Sequence, residues 1–125
     1  MPSAKKRKTK ASSKSSALDA TLDEIKDESV AAAKREFQEL LSQAKGDTTA
    51  IVQENAAKLE ERLVLLKERK IDKEDFDYFV ANQRRSLRIF IDSRPAQKQE
   101  RAEKLTINLL EIAAQKLVPV LIAMI

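Results

Sequence analysis

The sequence lacks the residues from which most catalytic and metal sites are built. Its 125 residues contain no histidine, no cysteine and no tryptophan. Without histidine the chain lacks the common general base and metal ligand of neutral pH, and without cysteine it has no thiolate nucleophile and no disulfide. A single glycine cannot form a glycine-rich phosphate loop. We therefore expect no enzymatic activity, no catalytic, cofactor-binding or metal site, no cofactor and no small-molecule substrate.

Carboxylates are the abundant groups that could still act chemically. Pairs such as Glu60 and Glu61 lie in charge-rich segments, where a solvated helix face is the simpler interpretation. The run DKEDFD at residues 72–77 lacks the spaced oxygen ligands and the central glycine of a calcium loop. The acidic residues therefore predict surface rather than a reactive centre.

The scarcity of glycine and proline also bears on the fold. One glycine and three prolines stand among many Ala, Leu, Glu, Lys and Gln residues, which lose little side-chain entropy in a helix. A hydrophobic fraction of 42% is enough for one packed core, and the length suits one domain. We predict an all-α fold, a small helical bundle or helical hairpin array of about four helices, in a single domain over residues 18–125.

Residues 1–17, MPSAKKRKTKASSKSSA, form a basic segment without an acidic residue. Its cations are Lys5, Lys6, Arg7, Lys8, Lys10 and Lys14. This composition predicts a disordered tail that contacts an anionic surface, either nucleic acid without sequence preference or anionic lipid. No aromatic residue stands among the cations, so a stacking platform for bases is not expected. Subtracting these six charges from 24 leaves 18 cations against 20 acids, a net charge of −2 for the remainder.

The order of segments in this tail bears on localisation. No apolar stretch follows the basic run as a secretory signal requires. We expect an intracellular protein, cytoplasmic, or nuclear if the source is eukaryotic and the basic run is a localisation signal. Peripheral membrane attachment is the alternative, because a basic tail and an apolar end can act as two weak signals.

Apolar and small residues then recur at intervals of three and four, the spacing of amphipathic helices. The spacing predicts helices over residues 18–45, 49–69, 73–90 and 95–118. The stripe of the first consists of Leu18, Leu22, Ile25, Ser29, Ala33, Phe37, Leu40 and Ala44. Gly46 follows it and is expected in the left-handed conformation that ends a helix. The second helix carries a coiled-coil-like seam of Val52, Ala56, Leu59, Leu63 and Leu66.

The start of the third helix has the most complete local signal. Asp72 suits the N-cap and Asp75 the third helical position of a capping box. Ile71 and Phe76 stand where a hydrophobic staple would join them across the cap. Three signals agree, so a helix is expected to begin after Asp72.

The last nine residues, LVPVLIAMI at 117–125, contain no polar side chain. Pro119 is expected to bend or end the fourth helix near Leu117. Glu111 and Lys116 interrupt the apolar stretch, which makes a membrane span unlikely on charge alone. The apolar residues cannot all face one side of a helix, so we predict that a partner chain, identical or different, covers them. This predicted interface comprises Leu117, Val118, Val120, Leu121, Ile122, Met124 and Ile125.

A second group of cations, Arg84, Arg85, Arg88 and Arg94, lies in the body of the chain. It predicts either pairing with the acidic residues of the first helix or a second anion-binding patch. Together these features favour a non-enzymatic helical interaction or assembly protein that acts as a homo-oligomer or with a protein partner. A nucleic-acid-binding accessory protein and a peripheral membrane factor are the two alternatives.

Overall fold

The computed structural model describes residues 17–125, and everything described is helix, turn or irregular backbone without a strand. The predicted all-α class is confirmed, and a helical bundle fits it. The basic tail, except for Ala17, lies outside the described residues. Ala17 itself belongs to the first helix.

Five helices make up the described chain. They are α1 (17–23), α2 (Ala31–Lys45, entered through a 3₁₀ turn at Glu28–Val30), α3 (Ala50–Lys67), α4 (Lys73–Asp92) and α5 (Ala96–Met124). α5 contains two π-helical stretches, Lys104–Asn108 and Ala113–Leu117. The prediction 49–69 differs from α3 by one residue at its start and two at its end, and the prediction 73–90 has the observed start of α4 and ends two residues early.

The predicted continuous helix over 18–45 was wrong, because the chain leaves helical geometry between α1 and α2. Asp27 is the N-cap of the 3₁₀ turn, and its carboxylate accepts bonds from the backbone N–H and the hydroxyl of Ser29 at 2.9 and 2.7 Å. Ser29, assigned to the apolar stripe, is exposed, and Val30 is buried instead. Short polar side chains of this kind compete with the helical backbone, which explains the break.

A side chain of α2 hydrogen-bonds to the carbonyl groups at the end of α1. The ammonium group of Lys34 donates to the carbonyl oxygens of Leu22 and Ile25 at 3.3 and 3.2 Å. The carbonyl of Leu22 also accepts the N–H of Ile25 at 3.0 Å, and a lysine beside the last turn of a helix can bond such terminal carbonyls. Leu22 and Ile25 are themselves buried, so α1 packs against the core despite the break.

The glycine between α2 and α3 does not adopt the predicted left-handed conformation. Gly46 has φ −92° and ψ 0°, which any residue can adopt. The left-handed position occurs instead at Arg69, with φ 62°, after α3. There the N–H of Lys70 bonds to the carbonyl of Leu65 at 2.9 Å, and that of Arg69 to Leu66 at 3.1 Å, the two bonds of a Schellman motif.

The predicted start of α4 is confirmed. Asp72 caps the helix by accepting from the N–H of Asp75 at 2.8 Å, and the Asp75 carboxylate accepts from the N–H of Asp72 at 3.1 Å. Phe76 is fully buried and Ile71 packs partly against the core. Cap and apolar contacts therefore fix the direction in which α4 leaves the turn.

α5 is the central helix of the bundle. Its first half contacts α4, its π-helical stretches contact α2, and its last turns contact α3. Thr106, buried in the first π-helical stretch, donates its hydroxyl to the carbonyl of Ala102 at 2.6 Å. In a regular α-helix the carbonyl of Ala102 would accept the backbone N–H of Thr106. Here it accepts the Thr106 hydroxyl, at the point where the helix changes from α to π geometry.

The helix also continues where an end or bend was expected. Pro119 stands in the first turn of the final α-helical piece, Val118–Met124, so its missing N–H falls where the hydrogen bonding changes from π to α. The prediction that the helix stops at residue 118 was wrong. Residues 117–125 are the last turns of α5 rather than a separate segment.

The buried apolar side chains form one cluster drawn from all five helices. The predicted seam of α3 is buried throughout, each residue being 2% exposed or less. In α4 the core includes Ile91, while Phe90 is only partly buried. In α5 it includes Ile107 and Leu110.

Candidate interaction surfaces

The predicted C-terminal interface divides into core and surface. Leu117, Val118 and Leu121 are at most 1% exposed and belong to the chain's own core, so they are corrected from partner contacts to core residues. Val120 and Ile122 are partly buried against that core. Met124 and Ile125 are 39% and 37% exposed. A helix that is apolar all round needs cover on several sides; α3 contacts the piece Val118–Met124, and α2 contacts the turn before it, Ala113–Leu117.

A groove remains at this end of the bundle, between the end of α5 and the turn that joins α3 to α4. Its apolar floor consists of Leu66, Ile71, Ile122 and Ile125, and it encloses about 460 Å³. The Schellman turn and the capping box described above hold the α3–α4 side of the groove in place. We call this feature the C-terminal groove.

Charged side chains border the C-terminal groove. Arg69, Lys70 and Lys73 line it together with Asp72 and Asp75. The two carboxylates are committed to the capping box, because each accepts a backbone N–H. Arg69 donates to the backbone oxygen of Ile125 at 2.6 Å and so ties the end of α5 to the turn. The rim therefore offers cationic groups around an apolar floor.

The basic residues of the body do not form one patch. Arg84, Arg85 and Arg88 line one shallow hollow on α4. Arg94 lies apart, with its guanidinium 5.2 Å from the centroid of the Phe90 ring. Arg84 and Arg88 pair with Glu111 and Glu103 of α5, at 3.8 and 3.3 Å, rather than with the acidic residues of α1 and α2.

One ion pair joins the loop between α2 and α3 to α5. Arg101 lies 3.3 Å from the Asp47 carboxylate, whose other oxygen accepts from the N–H of Thr49 at 3.0 Å. Burial raises the pKa of Asp47. The hydrogen bonds from Thr49 and the charge of Arg101 lower it by more, so the net shift of this pKa is downward. Thr49 is the N-cap of α3, without a capping bond from its own side chain.

The outer face of α4 exposes two large side chains that the periodicity analysis left aside. Tyr78 is 72% exposed and Ile89 is 69% exposed, the two highest values among the large hydrophobic residues of the described chain. Arg85 lies between them on the same face, seven residues after Tyr78 and four before Ile89. We call Tyr78, Arg85 and Ile89 the α4 stripe.

A buried polar pair joins α3 to α4. The amide oxygen of Asn55, whose side chain is almost fully buried, accepts from the amide of Gln83 at 2.9 Å. The amide nitrogen of Asn55 has no hydrogen-bond partner among the described residues. The bond between these two amides ties α3 to α4.

The described residues contain no group of three or more His, Cys, Asp or Glu side chains placed to hold a metal ion.

By length and composition, one helix in the same part of the chain could cross a membrane, Ala96–Met124. A core helix of a soluble bundle can have the same length and composition, and much of this helix packs against three others.

Sequence reasoning missed both the cationic rim and the α4 stripe. Arg69 and Lys70 belong to a charged stretch, residues 67–70, that carries no motif. Their position depends on the left-handed conformation of Arg69, a residue other than glycine. Tyr78 and Ile89 could have been found as apolar residues on the side of α4 opposite its buried residues.

No family model matches this chain, and no curated protein or solved structure matches it.

Proposed function

We propose that this chain is a non-enzymatic interaction protein, a helical bundle that docks a protein partner at the C-terminal groove while its basic tail holds an anionic surface. The observation that carries the proposal is the groove itself, an apolar floor at the end of α5 bordered by cations. Two of the seven apolar residues predicted as an interface, Ile122 and Ile125, line this groove, and neither is fully buried.

The charge of the rim indicates the chemistry of the partner. Lys70 and Lys73 pair with Glu68 and Asp77 at 3.4 and 2.7 Å, but both pairs are exposed, so they add little stability and can exchange for the carboxylates of a partner. A helix or extended segment that inserts a leucine or similar side chain between glutamates or aspartates would bury apolar surface and pair charge with these residues. Complementary charges at a rim favour encounter and exclude wrong partners more than they add affinity.

The tail supports the second half of the proposal. It carries six cations and no acid, whereas residues 17–125 have a net charge of −2. The attraction to a phosphate-rich surface therefore resides in the tail, and it should be strongly salt-dependent. Contact with nucleic acid alone, and attachment to a membrane, are the competing functions, and both use the same six cations.

Binding at the groove can be tested with the full chain labelled at its isoleucine methyl groups. The probe is a short peptide with leucines flanked by glutamates, and its matched control carries lysines in place of the glutamates. We expect the methyl signals of Ile71, Ile122 and Ile125 to shift with the acidic peptide only, while that of the buried Ile107 does not. Equal shifts with both peptides, or none, would contradict docking of an acidic apolar segment.

The tail is tested by comparing the full chain with a form lacking residues 1–16. If all six cations meet duplex phosphates, the logarithm of affinity should fall with that of salt concentration with a slope of about −5. Vesicles with phosphatidylserine and mixed-sequence duplex DNA are the two probes. Loss of binding to both on deletion supports the proposal, binding to DNA alone supports the nucleic-acid function, and unchanged binding contradicts a role for the tail.

A further inference from the structure

The α4 stripe has a regular arrangement along the helix. Tyr78 and Ile89 are eleven residues apart, about 16 Å or three turns, with their midpoint between Gln83 and Arg84. Ala81, a small and exposed residue, lies beside the stripe and leaves room for another helix to approach. Tyr78 and Ile89 are separate exposed apolar side chains on one helix face, with Arg85 between them, and tyrosine and arginine are enriched in protein interfaces.

Charge is segregated along the same helix. Residues 73–78 carry three acids and one base, a net charge of −2, and residues 84–92 carry three bases and one acid, a net charge of +2. Glu74 and Asp77 on the first half are exposed, as are Arg85 and Arg88 on the second half. The existing ion pairs of Asp77 with Lys73 and of Arg88 with Glu103 are themselves exposed, so they add little and can rearrange.

A helix with this pattern is complementary to itself when a second copy runs antiparallel to it. The acidic half of one helix then faces the basic half of the other, and Tyr78 of each chain comes level with Ile89 of its partner. This arrangement is closed by a two-fold axis, because the same surface serves both chains. A parallel arrangement would place like charges opposite each other over the whole length.

We propose that the outer face of α4 is a homodimer interface in which two copies pack antiparallel through the α4 stripe. The proposal goes beyond the docking function, since it uses a different face of the bundle and a second copy of the chain. An interface of two helix faces is small, so association is expected to be weak and to depend on protein concentration.

The first experiment measures mass against concentration, by sedimentation equilibrium, for the full chain and for Ile89→Asp. We expect the mass of the parent to rise toward twice that of one chain, and the variant to associate at least about tenfold more weakly. Because Ile89 is exposed, the variant should keep its fold, as checked by circular dichroism. Ile51→Asp, at an exposed isoleucine of α3, is the control and should associate like the parent.

The second experiment tests charge complementarity directly. One double variant, Glu74→Lys with Asp77→Lys, makes the whole face basic, and another, Arg85→Glu with Arg88→Glu, makes it acidic. Each should fail to self-associate, and an equimolar mixture should form the mixed dimer at low salt. The proposal would be overturned by a parent that stays monomeric at every concentration, or by a basic variant that dimerises like the parent. Neither outcome would affect docking at the C-terminal groove.

Discussion

Leu121 tests whether the end of α5 is core or interface. Its side chain is 0% exposed, whereas Met124, three residues later, is 39% exposed. Replacing Leu121 by alanine removes buried methyl groups and leaves a cavity, a change that costs about 2 to 5 kcal/mol in well-packed cores. Since small domains are stable by about 5 to 15 kcal/mol, Leu121→Ala should remain folded but unfold at a markedly lower urea concentration. With a urea dependence of about 1 to 3 kcal/mol per M, the midpoint should fall by about 0.7 to 5 M.

The assay is urea unfolding followed by circular dichroism at two protein concentrations, with Met124→Ala as the matched control. The control should change stability by no more than about 0.5 kcal/mol. A core role for Leu121 predicts that the loss in the variant is the same at both concentrations. If instead Leu121→Ala unfolds like the parent, or its effect is confined to a concentration-dependent part of the transition, the side chain is covered by a partner and the assignment to the core is wrong.

Three further outcomes are expected from local features of the fold. Asp72→Ala should lower the free energy of unfolding by about 0.5 to 2 kcal/mol through loss of the capping box, measured by urea unfolding, with Asp77→Ala as the smaller exposed control. Gly46→Ala should raise it by about 0.4 to 1 kcal/mol in the same assay, since its backbone angles suit alanine and the added methyl group meets the carbonyl oxygens of Ser42 and Gln43 at 3.5 and 3.9 Å, ordinary contact distances. The pKa of the Asp47 carboxyl is lower in the folded state than in the unfolded state. The stability that this shift contributes is therefore fully present above the unfolded pKa, about 4, and is lost as the pH falls through the folded pKa. Asp47→Asn should weaken the acid dependence of stability measured in thermal melts.

Local signals in the sequence predicted the local structure well where several of them agreed. At the start of α4, a cap, its reciprocal partner and two apolar residues all indicated one boundary, and all of them act within a few residues. The seam of α3 was equally readable, because its apolar side chains repeat at helical spacing and the core accepts the whole face. Both features depend on neighbours in the chain, which is the information that a single sequence contains.

The break between α1 and α2 was missed because the periodicity tolerated a serine in the apolar stripe. Ser29 is small enough to fit a stripe, but with Asp27 it forms a hydrogen-bonded turn that competes with the helix. The pattern of steps alone could not decide between the two. The residue types, an aspartate two positions before a serine, held the better information.

The cover of the last turns could not be predicted, because it depends on how distant helices are arranged. An apolar end is equally compatible with a partner, a membrane or a central position in the bundle, and only the packing of α2, α3 and α4 around α5 distinguishes them. The C-terminal groove combines residues about fifty positions apart, from Arg69 to Ile125. No periodic pattern encodes that proximity.

Dimerisation through α4, if it occurs, changes what the tail can do. The tail joins the bundle at Ala17, which lies beside Ala57 and Val64 of α3 and outside the α4 stripe, so a dimer keeps both tails available. Once one tail is bound, the second binds its surface intramolecularly, and linked weak sites can exceed either affinity by about 10² or more. Ile89→Asp should therefore weaken retention on anionic vesicles or DNA although it leaves every tail cation in place, and the effect should vanish at concentrations where the parent is monomeric. If the variant and the parent bind alike at concentrations where the parent is dimeric, the two tails act independently and dimerisation serves another purpose.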